Sequence, residues 1–214
     1  MQQTLIKITA GKVELEGILN LPASSRAIII FAHGSGSGRL SPRNAFVSDI
    51  LERAGFGSLL FDLLTDKEEK EDALTGALRF DIPFLSDRLK AATDFVMKDP
   101  DTRNHMLGYF GASTGAAAAL VASTIYPGSV KAVVSRGGRP DLAGNALPKV
   151  SAPTLFIVGG NDLVVIDLNK KAFEKLNCEK NMAIVPGAGH LFEEKGTLDK
   201  AAELARDWFK RFLV

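Results

Sequence analysis

The stretch Gly111-Ala112-Ser113-Thr114-Gly115 holds the residue types and spacing best suited to covalent chemistry. A serine hydroxyl is a poor nucleophile until an imidazole takes its proton. The imidazole in turn needs a carboxylate to fix its tautomer and stabilise its charged form. Glycines two residues before and two after Ser113 leave room where a Cβ would clash in a tight, strained strand-to-helix turn. A Gly-x-Ser-x-Gly string arises by chance in roughly one chain in fifteen of this length, so its context must carry the argument. That context is present. Asp162 closes Val158-Gly159-Gly160-Asn161-Asp162, and His190 follows Pro186-Gly187-Ala188-Gly189. Each of the three comes just after an expected strand, which puts all of them on one rim of a parallel sheet, in the order Ser, Asp, His expected of a nucleophile elbow with its partners.

The competing residues read differently. His105 precedes the elbow strand, at the opposite end of the sheet, and reads as structural or exposed. His33 opens the loop His33-Gly34-Ser35-Gly36-Ser37-Gly38 and reads as a loop-orienting residue. Asp167 is the rival carboxylate, and an N-cap role at the start of a helix from Leu168 accounts for it. Cys178, the only cysteine, has no glycine turn around it and reads as non-catalytic. An oxyanion hole needs two donors, and the backbone amides of Thr114 and Ser35 are the candidates. The glycines of that loop lack the Gly-Lys-Ser/Thr ending of a nucleotide loop. Arg39, Arg136 and Arg139, with Arg43 beside the loop, are candidates to clamp an anionic group on a substrate; surface salt bridging, with Asp141 for example, explains them equally well.

The elements that must position these residues follow from hydropathy. Thr4 to Thr9 and Val13 to Leu21 alternate polar and apolar residues and predict an antiparallel hairpin at a sheet edge. The continuous apolar run 27–32 predicts a strand buried on both faces. Ser41 and Pro42 predict the start of a helix through Ala54. Strands are expected at 57–63, 105–110, 130–135, 154–158 and 182–185, and helices at 84–97, 116–126, 168–176 and 197–212. The charged run Asp66-Lys67-Glu68-Glu69-Lys70-Glu71-Asp72 reads as a solvated loop. Alternation of strand and helix after Ala27 predicts an α/β fold, mostly parallel, with helices on both faces.

Composition narrows the function. The 214 residues suffice for one sizeable core, so residues 1–214 are expected to form one domain. With 26 basic and 25 acidic residues the formal net charge is +1, which argues against a nucleic-acid or membrane-surface footprint. The N-terminus lacks the basic head and apolar segment of a signal peptide, and a single cysteine suits a reducing cytoplasm. No cofactor and no metal site is expected, and the chain could be a monomer or a homodimer.

With Gly111-Ala112-Ser113-Thr114-Gly115, His33-Gly34-Ser35-Gly36, Gly160-Asn161-Asp162 and Gly189-His190 in place, nearly the whole chain resembles an α/β-hydrolase. Within that superfamily it is similar to the small dienelactone hydrolase-like proteins. The resemblance implies an eight-stranded sheet with an antiparallel second strand and hydrolysis of a small ester or lactone through an acyl-enzyme. The departure is at the elbow, where dienelactone hydrolases proper carry cysteine and this chain carries Ser113. The loop Gly137 to Lys149 is too short for a helical cap, so an open site is expected. Acyl transfer by the same triad and a non-catalytic binding role are the alternatives.

Overall fold

A computed structural model of the chain describes residues 3–213. One sheet of eight strands runs through it: β1 (Gln3–Ala10), β2 (Val13–Asn20), β3 (Ala27–Ala32), β4 (Gly57–Phe61), β5 (Met106–Ala112), β6 (Val130–Arg136), β7 (Thr154–Gly159) and β8 (Lys180–Val185). Their spatial order is β1-β2-β4-β3-β5-β6-β7-β8. β2 pairs antiparallel with both β1 and β4, and the remaining pairs are parallel. The alternating segments thus form the edge hairpin, and the continuous apolar runs form the strands buried on both faces.

Among the described residues six α-helices cover the sheet: α1 (Pro42–Arg53), α2 (Asp66–Thr75), α3 (Ile82–Lys98), α4 (Thr114–Ser123), α5 (Leu163–Lys175) and α6 (Thr197–Phe212). Strand alternation divides the core between two faces. Ile28, Ile30 and Tyr109 pack with Leu89, Val96 and Leu120 of α3 and α4, whereas Ile29, Phe31 and Phe110 pack with Leu51, Ala205 and Phe209 of α1 and α6. At Tyr109 the buried hydroxyl is satisfied by Thr93 at 2.7 Å, and burial raises its pKa.

Three expectations are corrected. The charged run after Thr65 is not a loop but α2, closed at its start by a reciprocal capping box between Thr65 and Glu68. Gly137 to Lys149 is only partly a loop, because residues 140–149 form 3₁₀ turns broken at Gly144. The helix expected from Leu168 begins five residues earlier, at Leu163, so Asp162 occupies the N-cap position and Asp167 lies inside the helix, exposed and near Lys170. Ser41 caps α1 as expected, its hydroxyl accepting from the Asn44 amide.

Candidate active site

Ser113 joins β5 to α4 with φ 49° and ψ −121°, a left-handed conformation that a side chain adopts only under constraint. Two glycines make that turn possible. A Cβ on Gly111 would lie 2.4 Å from the Ala116 Cα, and one on Gly115 would lie 2.2 Å from the Ala32 carbonyl oxygen. Small residues here let the strand, the turn and α4 come into contact, and α4 is lined with buried alanines for the same reason.

The loop after β3 meets this turn directly. A Cβ on Gly34 would stand 2.9 Å from the Ser113 Cβ, and the Ser35 hydroxyl lies 3.3 Å from that of Thr114. His33 fixes the loop from beneath. Its Nδ1 donates to the Gly34 carbonyl at 2.9 Å while Nε2 accepts from the Leu63 amide at 2.9 Å, an arrangement available only to the neutral ring. Burial pushes the His33 pKa down and outweighs the opposing influences of the Gly34 carbonyl and Asp62. His105, on the far end of β5, contacts Ser25 and the Thr102 carbonyl and stays away from this rim.

From the other side come β7 and β8. Asp162 follows β7, and its carboxylate makes no cap for α5; instead Oδ2 accepts from His190 Nδ1 at 2.7 Å. The carboxylate is mostly buried and the imidazole is partly open to solvent. Among the described residues Asp162 is the one side-chain hydrogen-bond partner of His190. Ser113, Asp162, His190, Ser35 and Thr114 all line one open cavity of about 500 Å³.

The arginines separate. Arg39 does not line this cavity: its guanidinium is held by Asp62 and Glu16, and its amide donates to Asp62 at 2.6 Å, which corrects the expectation that it could clamp a substrate. Arg139 lines the cavity but is bound through two nitrogens to Asp141, at 2.9 and 2.8 Å, so salt bridging describes its guanidinium. Arg136 also lines it and is different. It is 6% exposed, its Nε has no hydrogen-bond partner, and one terminal nitrogen reaches the Leu191 carbonyl only at 3.5 Å. Its guanidinium lies 5.6 Å from the centre of the Phe192 ring. Burial, and then the nearby charge of Arg43, lower its pKa to about 10, which leaves it charged at neutral pH. Arg43 pairs at 3.2 Å with the exposed Glu193.

Sequence reasoning missed Asn44 and Phe80. Asn44, in the first turn of α1, is buried in the cavity wall with Oδ1 unpartnered, and Phe80 forms part of the rim together with Val164 and Leu191. Asn44 had one signal available, its place directly after the glycine-rich loop and the Ser41 cap; the exposed ring of Phe80 had none.

This sheet order, with its helices on both faces and its site at the carboxyl rim, defines an α/β-hydrolase fold. The chain belongs to the dienelactone hydrolase family, whose model matches residues 15–213. A crystal structure of a dienelactone hydrolase from Anabaena variabilis ATCC 29413 is 52% identical, with a TM-score of 0.97 over 100% of this chain and 99% of that one. Est1E from Butyrivibrio proteoclasticus, at 14% identity and TM-score 0.81 over 97% and 98% of the two chains, shares the fold alone. A protein of Mycobacterium tuberculosis strain H37Rv that bears the name phosphoribosyl transferase is 52% identical over 204 residues, 95% of this chain. The chain spans only 45% of the length of that relative.

Proposed function

We propose that the protein is a serine hydrolase that cleaves a small carboxylic ester or lactone through an acyl-enzyme. The observation that carries this reading is the 2.7 Å bond between His190 Nδ1 and Asp162 in a cavity that Ser113 enters from a strained turn. Asp162 holds His190 in the tautomer that leaves Nε2 free to accept a proton. Substrate binding brings the Ser113 hydroxyl within hydrogen-bond reach of His190 Nε2, a contact not made among the described residues. Ser113 then attacks the carbonyl carbon as its proton passes to His190. The amides of Thr114, at the start of α4, and Ser35 stabilise the oxyanion. Collapse breaks the acyl C–O bond, and the alcohol leaves with the proton from His190. Water, deprotonated by the same imidazole, adds to the acyl carbon and releases the acid.

Acyl transfer would use the same residues with another acceptor in place of water. Added alcohol or amine separates the two, since a diverted product marks transfer. The phosphoribosyl transferase name of the mycobacterial relative attaches to a chain more than twice as long as the part matched here, and the residues around Ser113 suit acyl chemistry.

Intact-mass measurement after exposure to a fluorophosphonate tests the reading, with Ser113→Ala alongside and a panel of short-chain esters to follow. A single adduct on the wild type, absent from the variant, is the expected result. A folded wild-type protein that takes up no label and hydrolyses none of the esters would overturn it.

A further inference from the structure

The end of the cavity beside α1 holds more positive charge than attack on a neutral ester uses. Arg136 is 6% exposed, faces no carboxylate and leaves Nε without an acceptor. A buried guanidinium without a counter-ion is costly to the fold, and a ligand that supplies the missing charge explains its retention. Arg43 brings a second guanidinium to the same wall, and its own partner, Glu193, is solvent-exposed. The N-terminus of the twelve-residue α1, capped by Ser41 in the cavity wall, adds the positive end of a helix dipole.

Arg136 has no counter-ion and Arg43 is held only by an exposed, solvent-screened carboxylate that a ligand can displace, so with the helix N-terminus they match a dianion. Asn44 adds a second requirement. It is 3% exposed, and neither its buried Oδ1 nor its Nδ2 has a hydrogen-bond partner among the described residues, so its side-chain amide can turn to accept from a ligand hydroxyl. We propose that the α1 end of the cavity is a subsite for the phosphate monoester of a hydroxylated substrate. Arg136 and Arg43 grip the phosphate, Asn44 accepts from a neighbouring hydroxyl, and the ester bond reacts at Ser113. The phosphate is a handle and is not cleaved.

This inference rests on the hydrolase reading only for the bond that breaks, and its test reads binding alone. Calorimetry on the whole protein at neutral pH compares glycerol 3-phosphate, glycerate and glycerol, which carry a phosphate, a carboxylate and no anion on similar hydroxylated chains. Glycerol 3-phosphate should bind at least about tenfold more tightly than glycerate, and Arg136→Met and Arg43→Met should each weaken it by about tenfold or more. The melting temperature of Arg136→Met should equal or exceed that of the wild type, an outcome a purely structural arginine would not give. Should Arg136→Met fail to fold, Arg43→Met decides by itself: loss of affinity supports the subsite and unchanged affinity overturns it. Equal binding of glycerate, or no binding of glycerol 3-phosphate, overturns it as well. Repeating the titration on Ser113→Ala keeps the two readings apart, because phosphate binding there survives even if no ester is ever hydrolysed.

Discussion

Asp162 stands at the N-cap of α5 yet gives its carboxylate to His190, 28 residues away and 2.7 Å distant, rather than to the amides of its own helix. Aspartate is a favoured N-cap residue because its oxygen can satisfy a free amide of the first turn, a contact usually worth about 1 kcal/mol. The helix forgoes that contact, and the imidazole gains an orienting partner. Local stability yields to the site, which is where sequence rules for helix ends are expected to fail.

The catalytic weight of that choice can be measured. Asp162→Asn should lower kcat on a small ester by about 10³- to 10⁴-fold, because the amide favours the wrong imidazole tautomer. Stability should change little, since the Asp162 side chain makes no cap bond to α5 that the substitution could lose. Asp167→Asn, on the exposed part of α5, should leave kcat as it is. Comparable losses in both variants would remove Asp162 from its proposed role.

The contact between Gly34 and Ser113 makes a second prediction. A methyl group at residue 34 would meet the Ser113 Cβ at 2.9 Å and the Ala112 carbonyl oxygen at 3.2 Å, so either the loop or the turn must shift. Displacing an oxyanion donor costs about 10²-fold in kcat. Gly34→Ala should therefore lose about that much in kcat with a smaller proportional change in KM, as steady-state kinetics on one ester would read. Unaltered kcat would mean that the Ser35 amide takes no part.

Much of this arrangement was legible in the sequence, and the gaps have physical causes. Apolar runs such as Ile28-Ile29-Ile30-Phe31 announce strands covered on both faces, and the glycines around Ser113 announce the close approach that the turn requires. α2 escaped because it has no apolar face: Asp72 is its one buried residue, and hydrogen bonds rather than a hydrophobic stripe hold it. The Thr65-x-x-Glu68 capping pattern was the available sign. The start of α5 was hidden because Leu163 and Val164, which look like core residues, are exposed beside the site. The fate of each arginine could not be read at all. Whether a guanidinium finds a carboxylate depends on loops far apart in the chain, as Arg39 with Asp62 and Arg136 with none demonstrate.

His33 ties stability to pH. Its pKa is lowered in the fold, chiefly by burial, so the native state resists the proton that the unfolded chain accepts near the ordinary value of 6.5. Its contribution is complete above that value and is lost as pH falls toward the lower folded pKa. His33→Gln keeps an acceptor for the Leu63 amide but does not titrate. The stability advantage of the wild type over this variant should therefore shrink as the pH falls from 7 to 5, as urea denaturation at several pH values would show. A constant gap would mean that protonation of His33 does not oppose folding.

Asp72 holds the segment that brings Phe80 to the cavity rim. Burial pushes its carboxyl up, but hydrogen bonds from the Arg79 amide at 3.0 Å, the Arg79 Nε at 2.6 Å and the Leu78 amide at 2.7 Å outweigh burial and hold it below the ordinary carboxylate value. Asp72→Asn strips the charge from this cluster and leaves the partly exposed Arg79 guanidinium without its carboxylate, so the variant should lose about 1 to 2 kcal/mol at neutral pH. The folded-state pKa is the depressed one. The stabilisation is thus fully present above about 4 and disappears as pH falls through the folded value, and the difference between wild type and variant should close under strongly acidic conditions. Because residues 78–80 are tied to this carboxylate, the same variant should also raise KM for esters that reach Phe80 while moving kcat far less. An unchanged KM would detach the Phe80 rim from substrate binding, even if the loss of stability were found.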